Sequence, residues 1–265
     1  MAQYVIDTHK TTTRRACRTI QLNRGTFYYQ PTKPDDSAIK GQLTELAADH
    51  PRWGAKKMTA VIRNQGNHVN HKRIRRIYRE MQLNIRIKPK KRLPSREPVP
   101  LVVPEKPNQS WSVDFMSDAL LSGQRFRTFN VIDDFNREVL WISTDTSIPS
   151  PKVIRILDQI AGYRGYPRQI RSDNGPEFLA HRLQQWAQVH RVYWQFIQPG
   201  KPAQNAFIER LNRTFREDVL DAFLFSNVRE VQEIAFDWME MYNTSRPHES
   251  LNNLSPRQYA QLVIS

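Results

Sequence analysis

The sequence predicts an α/β fold: a mixed five-stranded sheet with helices packed on it, preceded by small all-helical segments. Two observations carry this reading. Apolar residues recur at helical spacing up to about residue 83 and switch to strand alternation at residue 110. Beyond residue 110 the segments run in the order βββαβαβα, the pattern of a sheet with crossover helices rather than a bundle.

The elements follow in chain order. Residues 13–29, TRRACRTIQLNRGTFYY, read as two short helices about a turn. Ala16, Cys17 and Ile20 suit the first, Leu22 sits at the bend, and Phe27 and Tyr28 suit the second, a helix-turn-helix-like pattern within a segment spanning 1–36. Residues 37–83 form a second helical block. Its first helix carries Ile39, Leu43, Leu46 and Ala47 on one face and is closed by Pro51. Its second carries Met58, Val61 and Ile62 and stops at Gly66. The third starts at an Asn70 cap and turns Ile74, Ile77, Tyr78 and Met81 inward, with Lys72, Arg73, Arg75, Arg76 and Arg79 over the rest. Residues 84–109 hold six prolines and the cluster Lys88, Lys90, Lys91, Arg92, a stiff extended linker rather than a helix.

The sheet region spans 110–225. WSVDFM alternates, with Trp111, Val113 and Phe115 on one side and Ser112 and Asp114 on the other. RFRTFNVID and EVLWIST supply the second and third strands, and SPKVIRILDQIAGYRG a helix ending near Gly165. RQIRSD is a short strand. PEFLAHRLQQWAQVH is one helix with Pro176 in its first turn. VYWQFI is the fifth strand and NAFIERLNRTFREDVLDAF a long helix. A C-terminal part, 226–265, holds a further helix and the tail through RPHESL and SPRQYAQL.

Charge divides the chain. Residues 1–100 hold 22 Lys and Arg against 7 Asp and Glu, whereas residues 101–265 hold 18 against 19. A basic N-terminal part fits a polyanion, with nucleic acid the default partner. A membrane surface fits less well, because no long basic amphipathic helix with an aromatic face is present. The third helix of the 37–83 block, with Lys72, Arg73 and Arg76, suits phosphate contact or a solvated basic face. The cluster around Lys90, Lys91 and Arg92 suits tracking of a DNA backbone or a solvated tether. No apolar run is long enough to span a bilayer and the first thirty residues lack a signal-peptide core, so a cytoplasmic protein is expected. The single cysteine, Cys17, excludes an intrachain disulfide and a Cys-based zinc cluster, and reads as a buried small residue.

Three acids stand where this layout gathers chemistry. Asp114 lies in the first strand, Asp173 at the end of the fourth before the turn Asn174–Gly175–Pro176, and Glu209 in the first turns of the last core helix. Carboxylates without clustered Cys or His suit hard cations, Mg²⁺ or Mn²⁺. Two such ions about 4 Å apart can activate a nucleophilic oxygen and stabilise the leaving oxygen of a phosphodiester. On the last helix Ile208, Leu211, Phe215 and Val219 form the core face, and Glu209, Asn212, Arg213 and Arg216 a polar stripe. That stripe suits a metal site opening onto a DNA groove; Glu209 and Arg213 would equally make an ordinary i,i+4 surface pair. Asp118, Asp133 and Asp134 are neighbouring acids, the last two explained by turn chemistry. Glu177 reads as a first-turn residue complementing a helix dipole. Trp53, Trp141, Trp186, Trp194 and Trp238 read as packing residues.

Taken together, WSVDF, SDNGPEF, IQPGKPAQNAFIERLNRTFRED and YNTSRPHESL resemble the integrase-type DDE catalytic core of bacterial insertion-sequence transposases, closest to the OrfB type. Thirty-five residues separate Asp173 from Glu209, the interval of the D,D-35-E motif. The upstream HPRWGAKKMTAVIRNQGNHVNHKRIRRIYREMQL is similar to the helix-turn-helix segment that precedes that core. The resemblance implies a ribonuclease-H-like fold after small helical DNA-binding segments. It implies metal-dependent DNA cleavage and strand transfer, with Asp114, Asp173 and Glu209 binding Mg²⁺ or Mn²⁺, two ions per site. It also implies terminal-DNA contact by Arg216, a turn at Asn174 and Gly175, and a loop from Gln198 to Asn205, with Lys201, that moves ahead of the third acid. No zinc domain is expected. His248 in RPHESL belongs to the family pattern, with a structural or end-binding role.

The expected partners are DNA, further copies of the chain on DNA, and an OrfA-type protein or fusion. The chain begins at Met1 without leucine-zipper heptads, so end recognition and multimerisation are expected to come from OrfA. The alternative is a DNA-binding regulator or accessory subunit that keeps the integrase fold and does not catalyse alone.

Overall fold

The computed structural model of the chain describes residues 1–30, 34–84, 103–198 and 202–264. Residues Met1–Gly41 and Gln42–Ser265 form two compact units. The first holds α1 (Ala2–His9), α2 (Thr13–Thr19) and α3 (Arg24–Tyr28). Helix α1 was not anticipated. Helices α2 and α3 follow the sequence reading because each starts at a capping residue. Thr12 Oγ1 accepts from the Arg15 N–H, and Asn23 Oδ1 accepts from the Gly25 N–H at 2.7 Å. Cys17 is buried as expected, but Tyr28 stays exposed.

Helix α4 (Ser37–Asp49) is followed in the second unit by α5 (Ala55–Asn64) and α6 (His71–Glu80). Met58, Ile62, Ile74, Ile77 and Tyr78 interlock between α5 and α6 and are all buried. Gly66 stops α5 in a left-handed conformation, φ +88°, that an L side chain adopts only under strain. Asn70 caps α6 through a 2.9 Å bond from the Lys72 N–H.

The sheet contains β1 (Ser110–Ala119), β2 (Arg125–Asp133), β3 (Val139–Asp145), β4 (Gln169–Ser172) and β5 (Tyr193–Phe196) in the order β3-β2-β1-β4-β5. β1–β2 and β2–β3 are antiparallel; β1–β4 and β4–β5 are parallel. Parallel neighbours need crossovers, which α7 (Ser150–Arg164), α8 (Pro176–Leu179) and α9 (His181–Val189) supply on one face. Helices α10 (Ala206–Phe215) and α11 (Val228–Thr244) cover the other, and α12 (Pro256–Ile264) packs on α11.

Alternation along the strands builds two cores. Trp111, Val113, Phe129, Val131, Ile170 and Trp194 meet α7 and α9. Met116, Phe126, Ile132 and Ile142 meet Ile208, Leu211, Phe215 and Val219 on the opposite face. The apolar stripe read on the last core helix is therefore the stripe that is buried.

Two helices depart from expectation. The segment 176–190 is broken at Ala180, whose backbone is extended, φ −59° and ψ 130°. Phe178 and Leu183 lie five residues apart, so an unbroken helix would turn them to different faces. The break lets both enter the same core, where Phe178 stacks on Phe115 at 5.1 Å between ring centroids. The long helix after residue 205 is α-helical only to Phe215 and continues as a π-helix over Arg216–Leu220, closed by an Asp221 N–H to Arg216 carbonyl bond of 2.8 Å. This places Asp218 against α11, where it accepts from Arg246 and from Trp238 Nε1.

Candidate active site

Sheet register brings two of the three acids side by side. β1 and β4 run parallel, with Ser112 opposite Arg171 as the last registered pair. Asp114 and Asp173 each lie two residues further on, at the same end of neighbouring strands and on the same face. That face is the one α10 covers, and Glu209 lies one helical turn before Asn212, which touches Asp114. All three carboxylates thus gather at one end of the sheet. Among the described residues, no three Asp, Glu, His or Cys side chains stand close enough together to grip a single ion as they are.

Two of the acids, Asp114 and Asp173, are held locally. Asp114 Oδ1 accepts from the Phe115 N–H at 2.8 Å and its Oδ2 from Asn212 Nδ2 at 2.8 Å. Asn212 Oδ1 accepts in turn from Asn130 Nδ2 at 2.7 Å, and Asn130 is the cross-strand partner of Asp114 in β2. Asn212 was read from sequence as a DNA contact. It is buried instead, because its position one turn after Glu209 points toward the sheet. Asp173 Oδ1 accepts from the Gly175 N–H at 3.1 Å, and a Cβ on Gly175 would lie 3.1 Å from that same oxygen. A side chain at this position would press on that oxygen, which would have to shift by a few tenths of an ångström. Ser172, just before Asp173, is pinned by a 2.8 Å bond from Trp194 Nε1.

Burial, above all, pushes the Asp114 carboxyl up to about 6, and the charges of Asp173 and Glu209 add to the rise. The Phe115 N–H and Asn212 pull the other way. The donor set is oxygen only and its charges repel, which suits a hard divalent cation.

The other predicted positions divide. Arg213 is exposed on the outer side of α10. Arg216 is engaged, donating to Asp118 Oδ2 and to the Ser117 carbonyl, both at 2.9 Å. Asp118 thus anchors Arg216. Lys72 and Arg76 are exposed on α6, Arg76 paired with Glu80 at 2.7 Å, and Arg73 is half-buried. Lys88, Lys90, Lys91, Arg92 and Lys201 lie outside the described residues, as does part of the Gln198–Asn205 loop. At its described ends that loop is tied by a Gln198 N–H to Gln204 Oε1 bond of 2.8 Å, and residues 202–205 form a 3-10 turn leading into α10.

Asp133 and Asp134 are more than turn formers. Asp133 does accept from the Phe135 N–H at 3.0 Å, but both acids are fully buried. Asp134 is gripped by Ser110 Oγ, Ser112 Oγ and Arg171 at 2.7, 2.6 and 3.0 Å. This network fixes the base of β1 and β4. Glu177 pairs with Arg127 of β2, beyond its place in a first helical turn. Asn130 escaped the sequence reading; its one signal was its place opposite Asp114 once β1 and β2 are paired.

Comparison with known proteins agrees with this layout. The integrase core domain family matches residues 104–202 and again 190–256, and an HTH-like domain family matches residues 34–92. An uncharacterized 31.7 kDa protein of insertion element IS407 from Burkholderia multivorans is 40% identical, over 93% of this chain and 90% of that protein. A protein of insertion element IS476 from Xanthomonas euvesicatoria is 40% identical, over 93% and 72%. The transposase InsD for insertion element IS2D of Escherichia coli is 24% identical, over 85% and 79%. Among solved structures, a chain of the simian T-cell lymphotropic virus intasome in complex with a PP2A regulatory subunit shares the fold, with a TM-score of 0.50 and 15% identity over 83% of this chain and 74% of that one.

Proposed function

Because the chain belongs to the integrase-core transposase family of bacterial insertion elements, we propose that Asp114, Asp173 and Glu209 form the active site of its DNA strand cleavage and strand transfer. One observation carries this assignment: the parallel register of β1 and β4 sets Asp114 beside Asp173 on the face covered by α10, within the electrostatic reach of Glu209.

These three carboxylates would hold divalent cations, Mg²⁺ or Mn²⁺ and two per site. When bound, the ions would supply charge stabilisation and a more acidic nucleophile at a phosphodiester. Bound cations would offset the mutual repulsion of these acids, which adds to the rise of the Asp114 carboxyl. The protein's own residues do the positioning. Asn212 and the Phe115 N–H each fix one oxygen of the Asp114 carboxylate. The Gly175 N–H orients Asp173, and the 3-10 turn at Pro202–Asn205 leads into α10, which carries Glu209. Water attacks a phosphodiester at the element's end and frees a 3′-OH, which then attacks a second phosphodiester in line. The nucleophiles come from water and DNA, so no serine or tyrosine is consumed.

Exposed Arg213, with Lys72, Arg76 and Lys201, would meet phosphates, as would Lys90, Lys91 and Arg92 ahead of the core. Arg216 is a terminal-DNA contact only after it leaves Asp118. The active species is an oligomer on DNA, working with an OrfA-type partner or fusion.

The test is magnesium-dependent cleavage and joining of an end-containing oligonucleotide, with and without an OrfA segment joined upstream. Glu209→Gln and Asp173→Asn should abolish both steps while duplex binding stays near wild type. Substantial joining by either purified variant would sink the assignment.

A further inference from the structure

A second site is built beside the carboxylates, on the other flank of α10. A cavity of about 580 Å³ is lined by Lys56 and Lys57 of α5, Arg137 from the β2–β3 turn, Arg210 of α10, Arg246 at the end of α11, and His248. Of these five cations Arg246 is buried and Lys57 and Arg137 are half-buried, so they lose hydration, whereas Lys56 and Arg210 are exposed. Gathered charges of one sign repel and favour a counter-charge. Two have one. Lys56 pairs with Glu249, and Arg246 pairs with Asp218 at 2.5 Å. Lys57, Arg137 and Arg210 have no carboxylate within ion-pair distance among the described residues. The Arg137 Cζ sits over the Phe207 ring, 3.4 Å from its centroid, and the Lys57 Nζ over the Trp53 ring at 5.8 Å.

The histidine points the same way. His248 Nε2 is inaccessible to solvent and has no hydrogen-bond partner, an unusual state for a polar ring atom. Burial, followed by the charges of Arg246, Lys57, Arg137 and Arg210, pushes its pKa down to about 3. Burial first, then Arg246, pushes Lys57 down to about 8. Burial is the larger cause of both shifts, and the neighbouring cations add to it.

We propose that this cavity is a binding site for a backbone phosphate of DNA, distinct from the carboxylate site. An anion seated there would neutralise Lys57, Arg137 and Arg210. DNA is favoured over a free anion by continuity: Arg210 directly follows Glu209 on α10, so a strand entering the carboxylate cluster brings its neighbouring phosphates to the cavity mouth. The cavity also holds more than a phosphate. Its walls come from α5 and from the RPHESL segment as well as the core, so an occupied site would clamp the upstream helices onto the sheet domain. The choice of DNA as the source of the phosphate rests on the strand-transfer reading; the charge argument does not.

The experiment uses the full chain in EDTA, so that its result is independent of metal binding and cleavage. Affinity for a short fluorescent duplex is followed against potassium chloride concentration. The double variant Lys57→Gln/Arg210→Gln should bind several-fold more weakly, with a log–log salt slope shallower by about 0.9, the value for one lost phosphate contact. An unchanged affinity and slope in a variant that unfolds like wild type overturns the proposal. If the double variant does not fold, acetylation of Lys57 in the wild-type protein decides. Slower labelling with duplex present supports the site. No protection, or protection by inorganic phosphate at matched ionic strength that duplex cannot displace, overturns it.

Discussion

Replacing Asp114 with asparagine should stabilise the metal-free protein while destroying its activity. The magnitude follows from the site. The Asp114 carboxyl moves from 3.8 to about 6 on folding, mainly through burial and then through Asp173 and Glu209. Each unit is worth about 1.36 kcal/mol, so ionised Asp114 costs the native state about 3 kcal/mol. The sign follows from proton counting. The native state binds this proton more tightly than the unfolded chain. The favourable term is fully present below the unfolded value and is lost as pH rises through about 6. An amide at position 114 removes the charge and keeps an acceptor for the Phe115 N–H. Its Nδ2 would oppose Asn212 Nδ2, but reversing the amides of Asn212 and Asn130 restores donor–acceptor alternation, because Asn130 Oδ1 has no partner in the native arrangement. Urea unfolding in EDTA should therefore show Asp114→Asn more stable than wild type by up to about 3 kcal/mol near pH 8, and by almost nothing near pH 4. Added magnesium should stabilise the wild type and leave the variant little changed. A variant less stable than wild type at pH 8, or one with the same gain at both pH values, would refute the electrostatic reasoning.

Three further outcomes follow. Asp134→Ala strands the buried Arg171 guanidinium and removes the acceptor of two serine hydroxyls, so unfolding free energy should fall by about 3–5 kcal/mol in urea titrations. Phe178→Ala empties the space between Phe115, Phe129 and Trp194, costing about 3–5 kcal/mol, and loosened β1 and β4 should slow strand transfer even where the protein is folded. Gly175→Ala sets a methyl against Asp173 Oδ1; stability should stay within about 1 kcal/mol of wild type while the single-turnover cleavage rate drops at least about tenfold. A fully active Gly175→Ala enzyme would show that the Asp173 carboxylate does not need this turn.

Much of the molecule was legible in its residues. Strand alternation and helical periodicity are local, so all five strands and the apolar stripe Ile208, Leu211, Phe215, Val219 could be read directly. Caps are local as well, and Asn70 and Gly66 mark real helix boundaries. The acids were singled out by spacing and by resemblance to transposases. The meeting of Asp114 and Asp173 at one sheet end follows from strand register, and that of Glu209 from the packing of α10, neither of which a local pattern contains. The tertiary structure alone decided which polar groups face one another. It turned Asn212 from an expected DNA contact into the buried support of Asp114, and made Asp118 the holder of Arg216. It broke one helix at Ala180 so that Phe178 and Leu183 could share a core, and wound another into a π-turn that sets Asp218 against Arg246. It also gathered Lys57, Arg137, Arg210 and His248, which are scattered over nearly two hundred residues, around one cavity. Periodicity acts over a few residues and is written in the chain; charge pairing and desolvation act through space, and only the folded chain defines the distances they depend on.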